Sequence, residues 1–298
     1  MERIMSAIIM TARLPAFYAL CLCVLLVCAC ASHDPGVPST QQRHELAQTI
    51  AARSNMQAEN IQTTPFTLRG YYRLSDPETT TTALYIEGDG LAWLSRSRPS
   101  LDPTPTDPVA LRLAGIDRRS NVYYLARPCQ YETWTRKKAC PIKYWTSNRF
   151  DQTVLQSYHQ ALDKIKAAHG IKTFDIVGFS GGAAIAAILA AQRYDITSLR
   201  TVAGNLDHAA LNEYHGVSAM PQSITPITYA QKLTTMPQIH YSGGQDHIVP
   251  SWLADHFIDA LDNAACAQHI TVDYASHEDG WTMAWKDYAQ NTAHCSDK

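Results

Sequence analysis

Apolar residues along this chain follow two rhythms. From Phe66 onward, short runs rich in β-branched and aromatic residues predict strands over residues 67–74, 82–87, 121–126, 173–177, 199–203, 238–242 and 269–274. Several are continuously apolar, as expected for strands covered on both faces. Between them the period lengthens. Phe150, Val154, Tyr158, Leu162, Ile165 and Ala168 fall on one helical face, and Gly170 supplies a stop. Residues 182–192 form an alanine-rich helix able to pack closely under a sheet, and a third helix is predicted from Pro250 to about Asn263, with Leu253, Phe257 and Leu261 in phase. Upstream, Leu46, Ile50 and Ala51 mark a short amphipathic helix over residues 43–54. Strands alternating with helices predict a layered α/β fold with a mostly parallel central sheet flanked by helices.

The first thirty residues follow neither rhythm. Arg3 and Arg13 precede an uncharged stretch, residues 14–31, which closes on small residues before a Pro/Gly/Ser segment, residues 33–40. That order describes an export signal; the alternative is a permanent anchor helix, because the run approaches the ~18 residues of a membrane span. Val27-Cys28-Ala29-Cys30 resembles the lipobox of bacterial lipoproteins. The resemblance implies cleavage before Cys30 and lipidation of Cys30, hence a membrane tether. Ala31 and Ser32 lack the aspartate of an inner-membrane retention signal, which favours an outer-membrane destination. The expected organisation is a signal over residues 1–29, a flexible tether over 30–42 and one domain over 43–298.

Composition narrows the function. The 298 residues are 46% hydrophobic and 17% charged, which suits a globular core rather than a disordered chain. The net charge of -2 offers no basic field to nucleic acid. Beyond Cys30, four cysteines remain: Cys129, Cys140, Cys266 and Cys295. An even number in an exported chain points to two disulfides, with three pairings open; Cys129 with Cys140 and Cys266 with Cys295 is the simplest. No C-x-x-C follows Cys30 and no H-E-x-x-H occurs, so neither a metal nor another cofactor is expected.

The sharpest chemical signal is Gly178-Phe179-Ser180-Gly181-Gly182, a G-x-S-x-G between a predicted strand and a predicted helix. A serine at so sharp a turn needs small neighbours, and the helix N-terminus behind it favours developing negative charge. A phosphate-binding turn is excluded, because Ser180 stands where G-x-G-x-x-G needs glycine and no P-loop lysine follows. A serine hydroxyl needs a histidine base oriented by a carboxylate. His277 follows the last predicted strand, and Asp246 lies in Ser242-Gly243-Gly244-Gln245-Asp246 before Pro250. Asp207 is the alternative acid, while His208 and His247 sit beside these acids on the chain and are poor bases. Residues 84–90 end a strand in Glu87-Gly88-Asp89-Gly90.

These four motifs, in this order, resemble the α/β-hydrolase superfamily. The resemblance implies the α/β-hydrolase fold, with Ser180 as nucleophile, His277 as base, Asp246 as acid and the Asp89 and Gly181 N–H groups as oxyanion donors. Glu87 departs from it, standing where histidine is usual. No large lid fits between Ser180 and Asp246. The implied reaction is cleavage of a carboxylic ester on a small-molecule or acylated substrate; the alternatives are amide hydrolysis or acyl transfer with the same triad, or an envelope-binding lipoprotein without catalysis. Trp93, Tyr144, Trp145 and Trp281 are candidate substrate walls or core anchors. Oligomeric state is left open.

Overall fold

The computed structural model describes residues 36–132 and 140–296. Within them, every predicted strand forms. Strands β1 (Gln57–Gln62), β2 (Thr67–Leu74), β3 (Thr81–Ile86), β6 (Asn121–Leu125), β7 (Thr173–Phe179), β8 (Ile196–Val202), β9 (Gln238–Gly243) and β10 (Ala267–Val272) make one sheet in the order β1-β2-β6-β3-β7-β8-β9-β10. Pairing is parallel from β6 through β10 and antiparallel at β1–β2 and β2–β6. Strands β4 (Trp93–Ser95) and β5 (Arg98–Pro99) form a separate hairpin.

Strands β3, β6 and β7 read as largely apolar runs because both faces are buried. In β3, Leu84 and Ile86 enter one core while Ala83 and Tyr85 enter the other. The first core is closed by α3 (Gln152–His169), α4 (Gly181–Gln192) and Phe257 of α6 (Trp252–Asp259). The second is closed by α1 (Thr40–Arg53), α2 (Val109–Ile116) and α7 (Trp281–Tyr288). The short helix α5 (His208–Tyr214) meets the chain near Val249 and Leu253 in a small third cluster. In α3 the expected punctuation is present: Asp151 accepts the Val154 N–H at the start, and Gly170 ends the helix at φ 70°.

Several boundaries differ from the sequence reading. Helix α1 starts at Thr40, inside the segment read as tether; it buries Ala51 as expected, but its other buried residues are Arg43 and Ala47, with Leu46 and Ile50 only half-buried. Arg43 goes inside because its guanidinium donates to the carbonyls of Asp102 and Thr104 and pairs with the Asp102 carboxylate at 3.5 Å. The third predicted helix is only Trp252–Asp259. Strand β1 is absent from the sequence reading, because only Ile61 of its six residues is buried. Both disulfides take the simplest pairing, Cys129–Cys140 and Cys266–Cys295. The predicted signal, Cys30 and the tether residues up to 35 lie outside the described residues. Among the described residues, no helix is long and apolar enough to cross a membrane.

Candidate active site

The site gathers where the parallel strands end. Strand β7 runs into Ser180, whose backbone at φ 51° and ψ −118° lies in the region disfavoured for residues with a Cβ. The turn is held by Ser180 N–H donating to the Val202 carbonyl at 2.9 Å and by Asn205 N–H donating to the Ser180 carbonyl at 3.1 Å. Its sharpness explains two of the glycines. A Cβ on Gly178 would come 2.4 Å from the Ala183 Cα, and one on Gly182 would come 2.4 Å from the carbonyl oxygens of Ile86 and Glu87. Neither position has room for a side chain.

His277 reaches Ser180 from the loop between β10 and α7. Its Nε2 lies 3.0 Å from Ser180 Oγ and its Nδ1 lies 2.8 Å from Asp246 Oδ2. An ionised carboxylate can only accept, so Nδ1 carries the proton donated to Asp246 and Nε2 is free to accept the serine hydroxyl. The imidazole tilts against Phe179 with ring centroids 5.3 Å apart. Trp281 anchors the loop from beneath: it is fully buried, and its Nε1 donates to the carbonyls of Ser276 and His277, both at 3.0 Å. It is therefore a core anchor rather than a substrate wall. Trp145 is also a core residue, its Nε1 donating to the Ser100 carbonyl, and Tyr144 packs edge-on against Phe66. Of the four aromatic candidates, only Trp93, in the β4–β5 hairpin, is exposed.

The two candidate acids separate cleanly. Asp246 is buried, and its Oδ1 accepts the N–H groups of Ile248 and Val249, both at 2.8 Å, which turns Oδ2 toward His277. Asp207 instead caps α5, accepting from Ala209, Ala210 and the Thr225 hydroxyl, with its other oxygen 3.2 Å from His256. Its neighbour His208 is buried with Nε2 3.1 Å from the Ser223 carbonyl. The structure thus brings Ser180, His277 and Asp246 together and leaves Asp207 in a capping role.

Opposite the serine, the turn after β3 places Asp89 against the start of α4, where a Cβ on Gly181 would come 2.2 Å from Asp89 Oδ1. Gly181 is the first residue of α4, so its N–H has no acceptor within the helix. Behind the turn, Glu87 is buried, and its Oε1 accepts the Gly88 N–H at 3.0 Å and the Ala110 N–H at 3.2 Å. One carboxylate therefore ties the turn to the first residues of α2, a tethering role for the residue that departs from the family pattern. Burial pushes the Glu87 carboxyl up to about 7 despite these two donors. Glu278, beside His277, is also raised, first by burial and then by Asp107 and Asp279, against the lowering effect of His277.

The Glu87 shift sets a pH slope. Between its ordinary value of 4.5 and about 7, the unfolded chain releases a proton that the folded chain keeps. Stability then falls as pH rises across that window, by roughly 3 kcal/mol at most. Glu87→Gln should remove this slope. Urea midpoints at pH 5 and pH 7.5 should drop for the parent relative to the variant, and parallel midpoints would show that Glu87 does not titrate there.

Comparisons with known proteins agree with this architecture. The family model described as Serine hydrolase (FSH1) matches residues 117–274, a span that holds Ser180 and Asp246 and stops just before His277. An α-β serine hydrolase homologue from Coxiella burnetii superposes with a TM-score of 0.54 at 15% identity, over 78% of this chain and 95% of that one. The Pyrococcus furiosus esterase Pf2001 superposes with a TM-score of 0.53 at 13% identity, over 80% and 91%. An acylaminoacyl peptidase from Pyrococcus horikoshii gives a TM-score of 0.57 at 11% identity, over 78% of this chain and 39% of that one. At these identities the superpositions establish the α/β-hydrolase fold. A search of curated protein sequences finds no match.

Proposed function

Because the chain belongs to the FSH1 family of serine hydrolases, we propose that Ser180 is its nucleophile and that it cleaves a carboxylic ester through an acyl-enzyme. The observation that carries this reading is the continuous relay from Asp246 Oδ2 through His277 to Ser180 Oγ, with contacts of 2.8 and 3.0 Å. Ser180 Oγ attacks the ester carbonyl as His277 Nε2 takes its proton, and Asp246 stabilises the imidazolium. The N–H groups of Gly181 and Asp89 receive the oxyanion as the carbonyl becomes tetrahedral. Its collapse expels the alkoxide, which leaves with the proton from His277. Water, deprotonated by the same imidazole, then releases the acid and restores Ser180. No step calls on a metal or an organic cofactor.

The N-terminal pattern extends the proposal to location: export, cleavage before Cys30 and a lipid tether to the cell envelope. It is supported by the lipobox-like Val27–Cys30 run and by two disulfides, which suit an oxidising compartment.

One experiment tests both parts. Membranes from cells expressing the full chain are treated with a fluorophosphonate and the protein is digested for mass spectrometry. The expected result is a phosphonate adduct on Ser180 and an acylated Cys30 as the mature N-terminus. An adduct elsewhere, or none, overturns the nucleophile; an intact Met1 overturns the tether. Matched ester and amide substrates then decide the bond cleaved, and faster turnover of the amide would replace the ester by an amide substrate.

A further inference from the structure

Asp89 presents an electrostatic problem if its N–H receives the oxyanion. Its carboxylate lies directly against Gly181, the other donor, with both oxygens within 2.7 Å of where a Gly181 Cβ would stand. A bare negative charge there would oppose the negative charge forming on the substrate oxygen. The structure answers with two guanidinium groups. Arg127 Nη1 donates to Asp89 Oδ1 at 2.8 Å, and Arg149 Nε lies 3.3 Å from Asp89 Oδ2.

Both arginines are fixed. Arg127 Nη2 donates to the Arg149 carbonyl, and each guanidinium carbon sits 5.3 Å from the Phe150 ring centroid. Their side chains are only 4% and 15% exposed, so water screens the ion pairs weakly. The Arg127 segment also grips the turn through Gln130, whose Oε1 accepts the Arg127 N–H and whose Nε2 donates to the Gly88 carbonyl at 2.9 Å.

Resting on the Ser180 reading above, we infer that Arg127 and Arg149 are positioning residues, a paired clamp that fixes the Asp89 turn and offsets its carboxylate beside the nucleophile. The two cations and one anion leave a net positive charge next to the oxyanion. The clamp therefore acts on the transition state more than on the bound ester, and its loss should appear in kcat rather than KM.

The test follows hydrolysis of p-nitrophenyl acetate, with the acylation burst measured separately. In Arg127→Gln, kcat should fall about 10–100-fold while KM moves less than about threefold, less than the loss of a direct oxyanion donor. Adding Asp89→Asn removes the uncompensated charge and should recover about tenfold of that loss. A merely structural role predicts the opposite, a double variant no better than the single one. Arg149→Gln should show a smaller loss with the same rescue, and it carries the test if Arg127→Gln fails to melt cooperatively. Parent-like kcat in the folded arginine variants, or no rescue, overturns the clamp while Ser180 acylation in the parent stands. No acylation of Ser180 in the parent overturns both readings.

Discussion

Replacing Ser180 with alanine should reduce kcat/KM by about 10⁵–10⁶-fold, and replacing His277 with alanine should cost nearly as much. Removing both together should cost little more than either alone, because a nucleophile and its base act as one unit. The 3.0 Å contact between Ser180 Oγ and His277 Nε2 is the reason: neither group performs a partial version of the reaction without the other. Neither substitution should unfold the chain. Ser180→Ala adds no strain, because the Cβ already carried at this disfavoured backbone is unchanged, and the His277 loop is anchored from below by Trp281 rather than by the imidazole. The measurement is steady-state hydrolysis of an activated ester beside thermal melts of all four proteins. A Ser180→Ala protein within about tenfold of the parent would remove Ser180 from the mechanism, whereas a residual rate above water would reflect only substrate binding and the oxyanion donors.

Much of this arrangement is legible in the sequence because it depends on local rules. Strands buried on both faces must be largely apolar, so β3, β6 and β7 stand out as runs. A serine elbow must be flanked by residues without side chains, so Gly178 and Gly182 mark Ser180. Chain order then points to His277 and Asp246. What escapes the sequence depends on distant partners. Strand β1 is a polar edge whose only evidence is its pairing with β2. Helices α2 and α7, eight residues each, lie outside the helices read from the pattern. Trp281 reads equally as pocket wall or core until its partners are known. Arg127 and Arg149 carry no motif at all; their meaning lies in Asp89, which is 38 residues from Arg127 along the chain. The role of Glu87 likewise needs the position of Ala110, which pattern reading does not supply.

The Asp246→Asn substitution should lower kcat by about 10⁴-fold, whereas Asp207→Asn should leave it within a fewfold of the parent. The contrast follows from what each carboxylate holds. An asparagine in place of Asp246 could still accept the Ile248 and Val249 N–H groups through its amide oxygen, so the loop should keep its shape. Its NH₂ group, however, would turn an N–H toward His277 Nδ1 in place of the acceptor now 2.8 Å away. The imidazole would then carry its proton on Nε2 and face the Ser180 hydroxyl as a donor, the wrong tautomer for a base. In place of Asp207, asparagine caps a helix about as well as aspartate, so the Ala209 and Ala210 N–H groups remain satisfied. What is lost there is the charge facing His256, a histidine outside the Asp246–His277–Ser180 relay. Single-turnover acylation of both variants, with urea unfolding as a check on folding, distinguishes them. A large loss in Asp207→Asn together with a mild one in Asp246→Asn would transfer the acid role to Asp207 and require the loop carrying His277 to move before reaction.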